Sequence, residues 1–128
     1  MTLDSSALLA ILFAEPGYLD LVDRILEADI VRVGAPTLAE TAIVLTARRK
    51  SAGTSDLDAL LRELGVVVVP FSDAHHAEAV RAYRAFGRGR HRAALNFGDC
   101  LSYAVASLAD DALLSVGNDF AKTDVRGA

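Results

Sequence analysis

The chain has 128 residues, 52% of them apolar, and a formal net charge of −4 at pH 7. That length suits one domain with a real core, and that apolar content excludes a disordered chain. A single cysteine, Cys100, excludes an internal disulfide framework and fits a reducing, cytoplasmic setting, while the negative charge excludes attraction to nucleic acid by the molecule as a whole.

Residues 1–4 read as a very short strand, and Ser5 and Ser6 after it both carry hydroxyls that suit a helix cap. The apolar run at 8–14 has no basic segment before it, follows Asp4, and is too short to span a membrane. It is read instead as part of a buried helix over 6–13, stopped at Glu15-Pro16-Gly17. Residues 18–28 put Leu19, Val22 and Leu26 on one helical face, and 30–33 form a second strand. Pro36 and Thr37 open a long helix reaching about residue 50, where Arg48, Arg49 and Lys50 complement the helix dipole. Thr54 or Ser55 starts a further helix, with Leu57, Leu60, Leu61 and Leu64 as its apolar face and Gly65 as its stop.

Four consecutive valines at 66–69 predict a strand buried on both faces, as in the middle of a parallel sheet. Ser72 caps a helix that reaches Phe86; its adjacent His75 and His76 point in different directions and read as surface residues. A loop rich in glycine and arginine covers 87–97. A helix over 98–109 turns Leu101, Ala104, Val105 and Leu108 inward. Residues 112–116 make another strand, Gly117-Asn118-Asp119-Phe120 turns into a short last helix, and 124–126 adds an edge strand. Alternating strands and helices predict one α/β domain over 1–128, a three-layer α/β/α sandwich around a mainly parallel sheet.

In such folds ligands bind outside the carboxyl ends of the strands. Asp4 and Asp119 lie just after strands, and Glu40 and Asp99 lie in the first turns of helices that face the same edge. Each acid has an ordinary role as well. Thr37-x-x-Glu40 and Asn96-x-x-Asp99 both read as capping boxes, Asp4 as a cap, and Asp119 as a turn residue. Together the four would repel, by about 4 kcal/mol for a pair ~4 Å apart at an effective dielectric near 20. A divalent cation removes that repulsion. The candidate ligands are all hard oxygens, which favours Mg²⁺ or Mn²⁺, and no Cys/His set has zinc spacing. Ser6 is placed to orient a carboxylate or contact phosphate.

Arg84, Arg88, Arg90, His91 and Arg92 fall close together and concentrate positive charge in an acidic chain, and those in Gly87-Arg88-Gly89-Arg90-His91-Arg92 reach out from a flexible loop. Arginine binds phosphate through paired hydrogen bonds. Tyr83 and Phe86 beside it either stack on unpaired bases or pack on the helix face.

These stretches resemble a PIN-domain ribonuclease, the VapC toxin of bacterial type II toxin–antitoxin pairs. The matching residues are Leu3-Asp4-Ser5-Ser6-Ala7-Leu8, Thr37-Leu38-Ala39-Glu40, Ala94-Leu95-Asn96-Phe97-Gly98-Asp99-Cys100, and Gly117-Asn118-Asp119-Phe120 with Thr123-Asp124. The resemblance implies RNA cleavage with Mg²⁺ or Mn²⁺, Asp4 and Asp99 as principal ligands, and Glu40 completing the cluster. Asn118 or Asp119 would fill the last position, with Asp124 the weaker candidate. It also implies a VapB-type antitoxin and a toxin homodimer, with Leu9, Leu12, Leu19 and Val22 as partner surface or core. A receiver-type Mg²⁺ signalling domain fits less well, because only Asp4 follows the first strand. A catalytically inactive PIN module that binds RNA or a partner is the third reading.

Overall fold

The structure is a computed structural model that describes residues 1–49 and 53–128. Its elements run β1 (Thr2–Leu3), α1 (Ser5–Leu12), α2 (Tyr18–Leu26), β2 (Arg32–Gly34), α3 (Ala35–Arg49), α4 (Gly53–Glu63), β3 (Val67–Val69), α5 (Asp73–Phe86), α6 (Phe97–Ala109) and β4 (Leu113–Leu114), with a 3-10 turn at Phe120–Lys122. The sheet is wholly parallel in the order β3-β2-β1-β4.

The register explains the three layers. Leu3 pairs with Val33 on one side and Leu114 on the other, so these three side chains lie abreast on one face. They pack with Leu8 of α1, Ile25 of α2, and Leu60 and Leu61 of α4. Leu113, one residue earlier in β4, points the opposite way and joins Ala79 and Ala82 of α5 and Tyr103 and Ala106 of α6. Burying each such leucine contributes roughly 1.5–3 kcal/mol. α6 sits tightly on the sheet because Gly34 allows it: a Cβ there would lie 2.9 Å from Val105 Cγ2.

The amino edge of the sheet is closed by charge. Asp111 accepts from Thr2 Oγ1 at 2.8 Å and from Arg32 at 2.9 Å and 3.0 Å, and lies 3.3 Å from the N-terminal amine. Burial raises this carboxyl, but those partners more than offset it and hold it below the usual range. The carboxyl edge carries the candidate site.

Several expectations are corrected. The valine strand is an edge strand, with Val67 51% and Val68 43% exposed, because four valines report β-propensity and not position in the sheet. On α2, whose apolar face was read as partner surface or core, Ile25 is the buried residue and Leu19 and Leu26 are 62% and 66% exposed, which favours surface. Leu108 of α6 is also exposed. The tail makes a single bridge, Leu113 to Gly127, in place of a strand. Arg48 and Arg49 both stack on the Phe13 ring, and Arg49 also pairs with Asp56 at 2.7 Å, so this basic turn ties α3 to its neighbours. Lys50 lies outside the described residues.

Candidate active site

Asp4 follows β1 and caps α1. Its Oδ2 accepts from the Ser6 N–H at 3.0 Å and from Ser6 Oγ at 2.6 Å, and its Oδ1 accepts from Ser102 Oγ at 2.6 Å. Ser6 Oγ in turn accepts from the Val116 N–H at 3.0 Å, which ties the start of α1 to the chain leaving β4. Ser6 therefore orients a carboxylate, one of the two roles its position allowed.

Asp99 stands in the first turn of α6 in a complete capping box. Asn96 accepts from the Asp99 N–H at 2.9 Å, and Asp99 Oδ2 accepts from the Asn96 N–H at 2.8 Å. Thr37-x-x-Glu40 forms no such box. α3 begins at Ala35, so Thr37 lies inside its first turn, buried, with its hydroxyl 3.1 Å from Ser102 Oγ. A Thr37 cap would start the helix at residue 38, whereas it starts at Ala35, three residues earlier, with Pro36, which has no N–H to satisfy, in its first turn. Glu40 consequently sits in the second turn, exposed, with its carboxylate against Gly98 at the start of α6.

Asp119 is exposed at the head of the 3-10 turn and makes no capping bond there; Asn118 beside it is also exposed. Asp124 lies elsewhere: it accepts from the Tyr103 hydroxyl, which accepts from Arg81 at 2.7 Å. Burial and the bond to Asp124 push Tyr103 up to about 12.

The four acids do come together electrostatically. Burial first, opposed by the Asn96 N–H, and then the charges of Asp4, Asp119 and Glu40 push Asp99 up to about 6. Among the described residues no three His, Cys, Asp or Glu side chains stand close enough to ligate an ion as they are. Asp4 and Asp99 are anchored by hydrogen bonds, whereas Glu40 and Asp119 are exposed. The donor set, all carboxylate oxygen with excess negative charge, fits Mg²⁺ or Mn²⁺.

The basic segment is closed by backbone hydrogen bonds. Arg88 N–H donates to Leu95 O at 3.0 Å, Leu95 N–H to Phe86 O at 3.0 Å, and Ala94 N–H to His91 O at 2.9 Å. Its base thereby joins the strand of chain entering α6. Arg84, Arg88, Arg90 and Arg92 are exposed, and Arg90 lies 5.5 Å over the Tyr83 ring. His91 turns inward, with its Nδ1 accepting from the Ala93 N–H at 3.1 Å and its ring on Phe86. Phe86 packs on Tyr103, so it belongs to the core. His76 is exposed, whereas His75 caps α5 by accepting from the Ser72 N–H at 3.1 Å.

Two features had escaped the sequence reading. Ser102 stands mid-helix among apolar residues, its three-residue spacing from Asp99 being the one signal. Phe97 is 80% exposed beside Asp99, on the rim of an apolar groove of about 810 Å³ that includes Ile43, Val80, Tyr83 and Leu101.

A wholly parallel sheet covered by helices on both faces defines an α/β sandwich. A profile of the PIN domain family matches residues 1–126, and the chain belongs to that family. Ribonuclease VapC36 of Mycobacterium tuberculosis is 44% identical over 126 residues, covering 98% of this chain and 91% of that protein. Ribonuclease VapC of Mycolicibacterium smegmatis is 44% identical over 127 residues, covering 98% and 97%. Among solved structures, VapBC2 from Rickettsia felis, bound to a promoter DNA fragment, matches with a TM-score of 0.79 at 14% identity, covering 99% of this chain and 96% of that one. The Sarcin-Ricin loop cleaving toxin VapC20 of Mycobacterium tuberculosis matches at 0.73 with 17% identity, covering 99% and 97%. Those two likenesses establish the fold.

Proposed function

We propose that this chain is a metal-dependent endoribonuclease, the toxin of a VapBC-type toxin–antitoxin pair. The observation that carries the reading is the 44% identity, over nearly the whole chain, to proteins named as VapC ribonucleases, within the PIN domain family.

Asp4, Asp99, Glu40 and Asp119 would hold Mg²⁺ or Mn²⁺, with Asn118 beside them. A cation there supplies an activated water and neutralises charge on the phosphodiester. Asp4 is kept in one orientation by Ser6, and Asp99 by the Asn96 N–H. Arg84, in the last turn of α5, and Arg88, Arg90 and Arg92, on the loop after it, bind the RNA backbone, offsetting the acidity of the chain. A VapB-type antitoxin and a second copy of the toxin are the proposed partners. The exposed Leu19 and Leu26, and separately Ile43, Val80 and Phe97, are apolar surface of the kind such contacts cover. Among the described residues no helix is long and apolar enough to cross a membrane, and the proposed setting is the cytoplasm.

Incubating the chain, purified free of antitoxin, with total cellular RNA tests the reading. Cleavage that appears with Mg²⁺ or Mn²⁺ and stops with EDTA supports it; intact RNA under every metal condition overturns it.

A further inference from the structure

We infer that Ser102 is a positioning residue for the acidic site, holding the Asp4 carboxylate in the orientation it presents to a divalent cation. The inference rests on the function proposed above.

Asp4 is 5% exposed and Ser102 1%. Both Asp4 oxygens are engaged, but from different sources. Oδ2 is held locally, by Ser6 two residues along the chain. Oδ1 is held at 2.6 Å by Ser102, 98 residues away on α6. Two anchors on two oxygens fix the plane of the carboxylate, which one anchor leaves able to rotate.

The proton count gives the relay its direction. A serine hydroxyl has one proton, and an ionised carboxylate only accepts. Ser102 spends its proton on Asp4, so the 3.1 Å contact between Thr37 Oγ1 and Ser102 Oγ is donated by Thr37. The Thr37 carbonyl accepts from Thr41 Oγ1 at 2.9 Å. The buried chain therefore runs Thr37 to Ser102 to Asp4.

Spacing gives the relay its purpose. Ser102 lies three residues after Asp99 on α6, and Thr37 lies three residues before Glu40 on α3. Residues three apart share a helix face. Each acid-bearing helix thus carries, one turn away from its acid, a hydroxyl linked to Asp4. The relay fixes the relative placement of β1, α3 and α6, the elements that bring Asp4, Glu40 and Asp99 to one edge.

Free Mn²⁺, counted by electron paramagnetic resonance during titration of the purified chain, provides the test. Ser102→Ala should weaken Mn²⁺ binding by about 10- to 100-fold, the usual loss when a residue orienting a ligand is removed. Ser102→Thr keeps the hydroxyl and should bind within about threefold of the wild type. Thr37→Val leaves the Ser102–Asp4 bond in place and should weaken binding less than Ser102→Ala does. A purely structural serine would lower the melting temperature and leave Mn²⁺ affinity unchanged, and that result overturns the inference while the proposed function stands. A wild-type chain that binds no Mn²⁺ overturns both. Should Ser102→Ala not fold, Ser102→Cys, nearly isosteric with a weak donor, is read by the same criterion.

Discussion

Gly98 and Glu40 stand in contact across the α6–α3 junction: a Cβ at Gly98 would lie 2.9 Å from Glu40 Oε1 and 3.1 Å from Oε2. Gly98→Ala therefore separates stability from activity. The Glu40 carboxylate is the far end of a flexible chain and can swing away, and alanine favours the helix by roughly 0.5–1 kcal/mol. The melting temperature should hold or rise slightly while kcat/KM for RNA falls at least about tenfold. Unchanged cleavage would remove Glu40 from the acidic cluster.

Asp99 gives the metal-free protein a specific pH dependence. Its carboxyl is raised from 3.8 to about 6, so between those values the folded state holds a proton that the unfolded state has released. Stability from this group is greatest below pH 4 and declines as pH rises toward 6. Asp99→Asn should flatten that part of the melting curve against pH. Mn²⁺ added at pH 7.5 should raise the wild-type melting temperature and leave that of Asp99→Asn nearly unmoved.

Tyr103 and Asp124 form a clasp for the tail. Tyr103, buried on α6, donates to Asp124, and Phe120 is buried between that clasp and β4. The segment carrying Asn118 and Asp119 is thus held at both ends. Tyr103→Phe should cost about 1 kcal/mol, one hydrogen bond. Hydrogen exchange across 118–126 should speed up with little change over β1 and α6. Protection that stays as in the wild type would mean the tail is held by Phe120 alone.

The arginine loop predicts a salt signature. Each lysine or arginine contact with a single-stranded backbone adds about 0.7 to the slope of log affinity against log salt. Arg88→Ala and Arg90→Ala should each reduce that slope by roughly this amount, measured with fluorescent RNA in EDTA. Arg90→Ala also uncovers Tyr83, over which it now lies. Slopes identical to the wild type would place the RNA elsewhere.

The parallel sheet and the helix order were legible in the alternation of strands and helices, and Asp4 and Asp99 stand at the helix starts where they were expected, whereas Glu40 lies a turn further in. What was not legible shares one cause. A threonine three residues before a glutamate looks the same whether it caps a helix or is buried against a distant serine, and Thr37 is the second case. Ser102 looks like any small helix residue until α6 is laid on β1. Four valines announce a strand without saying whether it is central, and β3 is at the edge. The glycine–arginine loop reads as mobile because nothing in its composition announces the backbone bonds that close it, Arg88 N–H to Leu95 O and Leu95 N–H to Phe86 O.

Single-turnover cleavage of RNA by the wild type and by Asp99→Asn, each with Mn²⁺ and with Mn²⁺ plus EDTA, tests the central claim most directly. The account predicts cleavage in one arm alone, wild type with free Mn²⁺, and a loss of at least about a hundredfold in the variant while its circular dichroism spectrum is unchanged. Cleavage by Asp99→Asn at the wild-type rate, or cleavage by the wild type that survives EDTA, would contradict it.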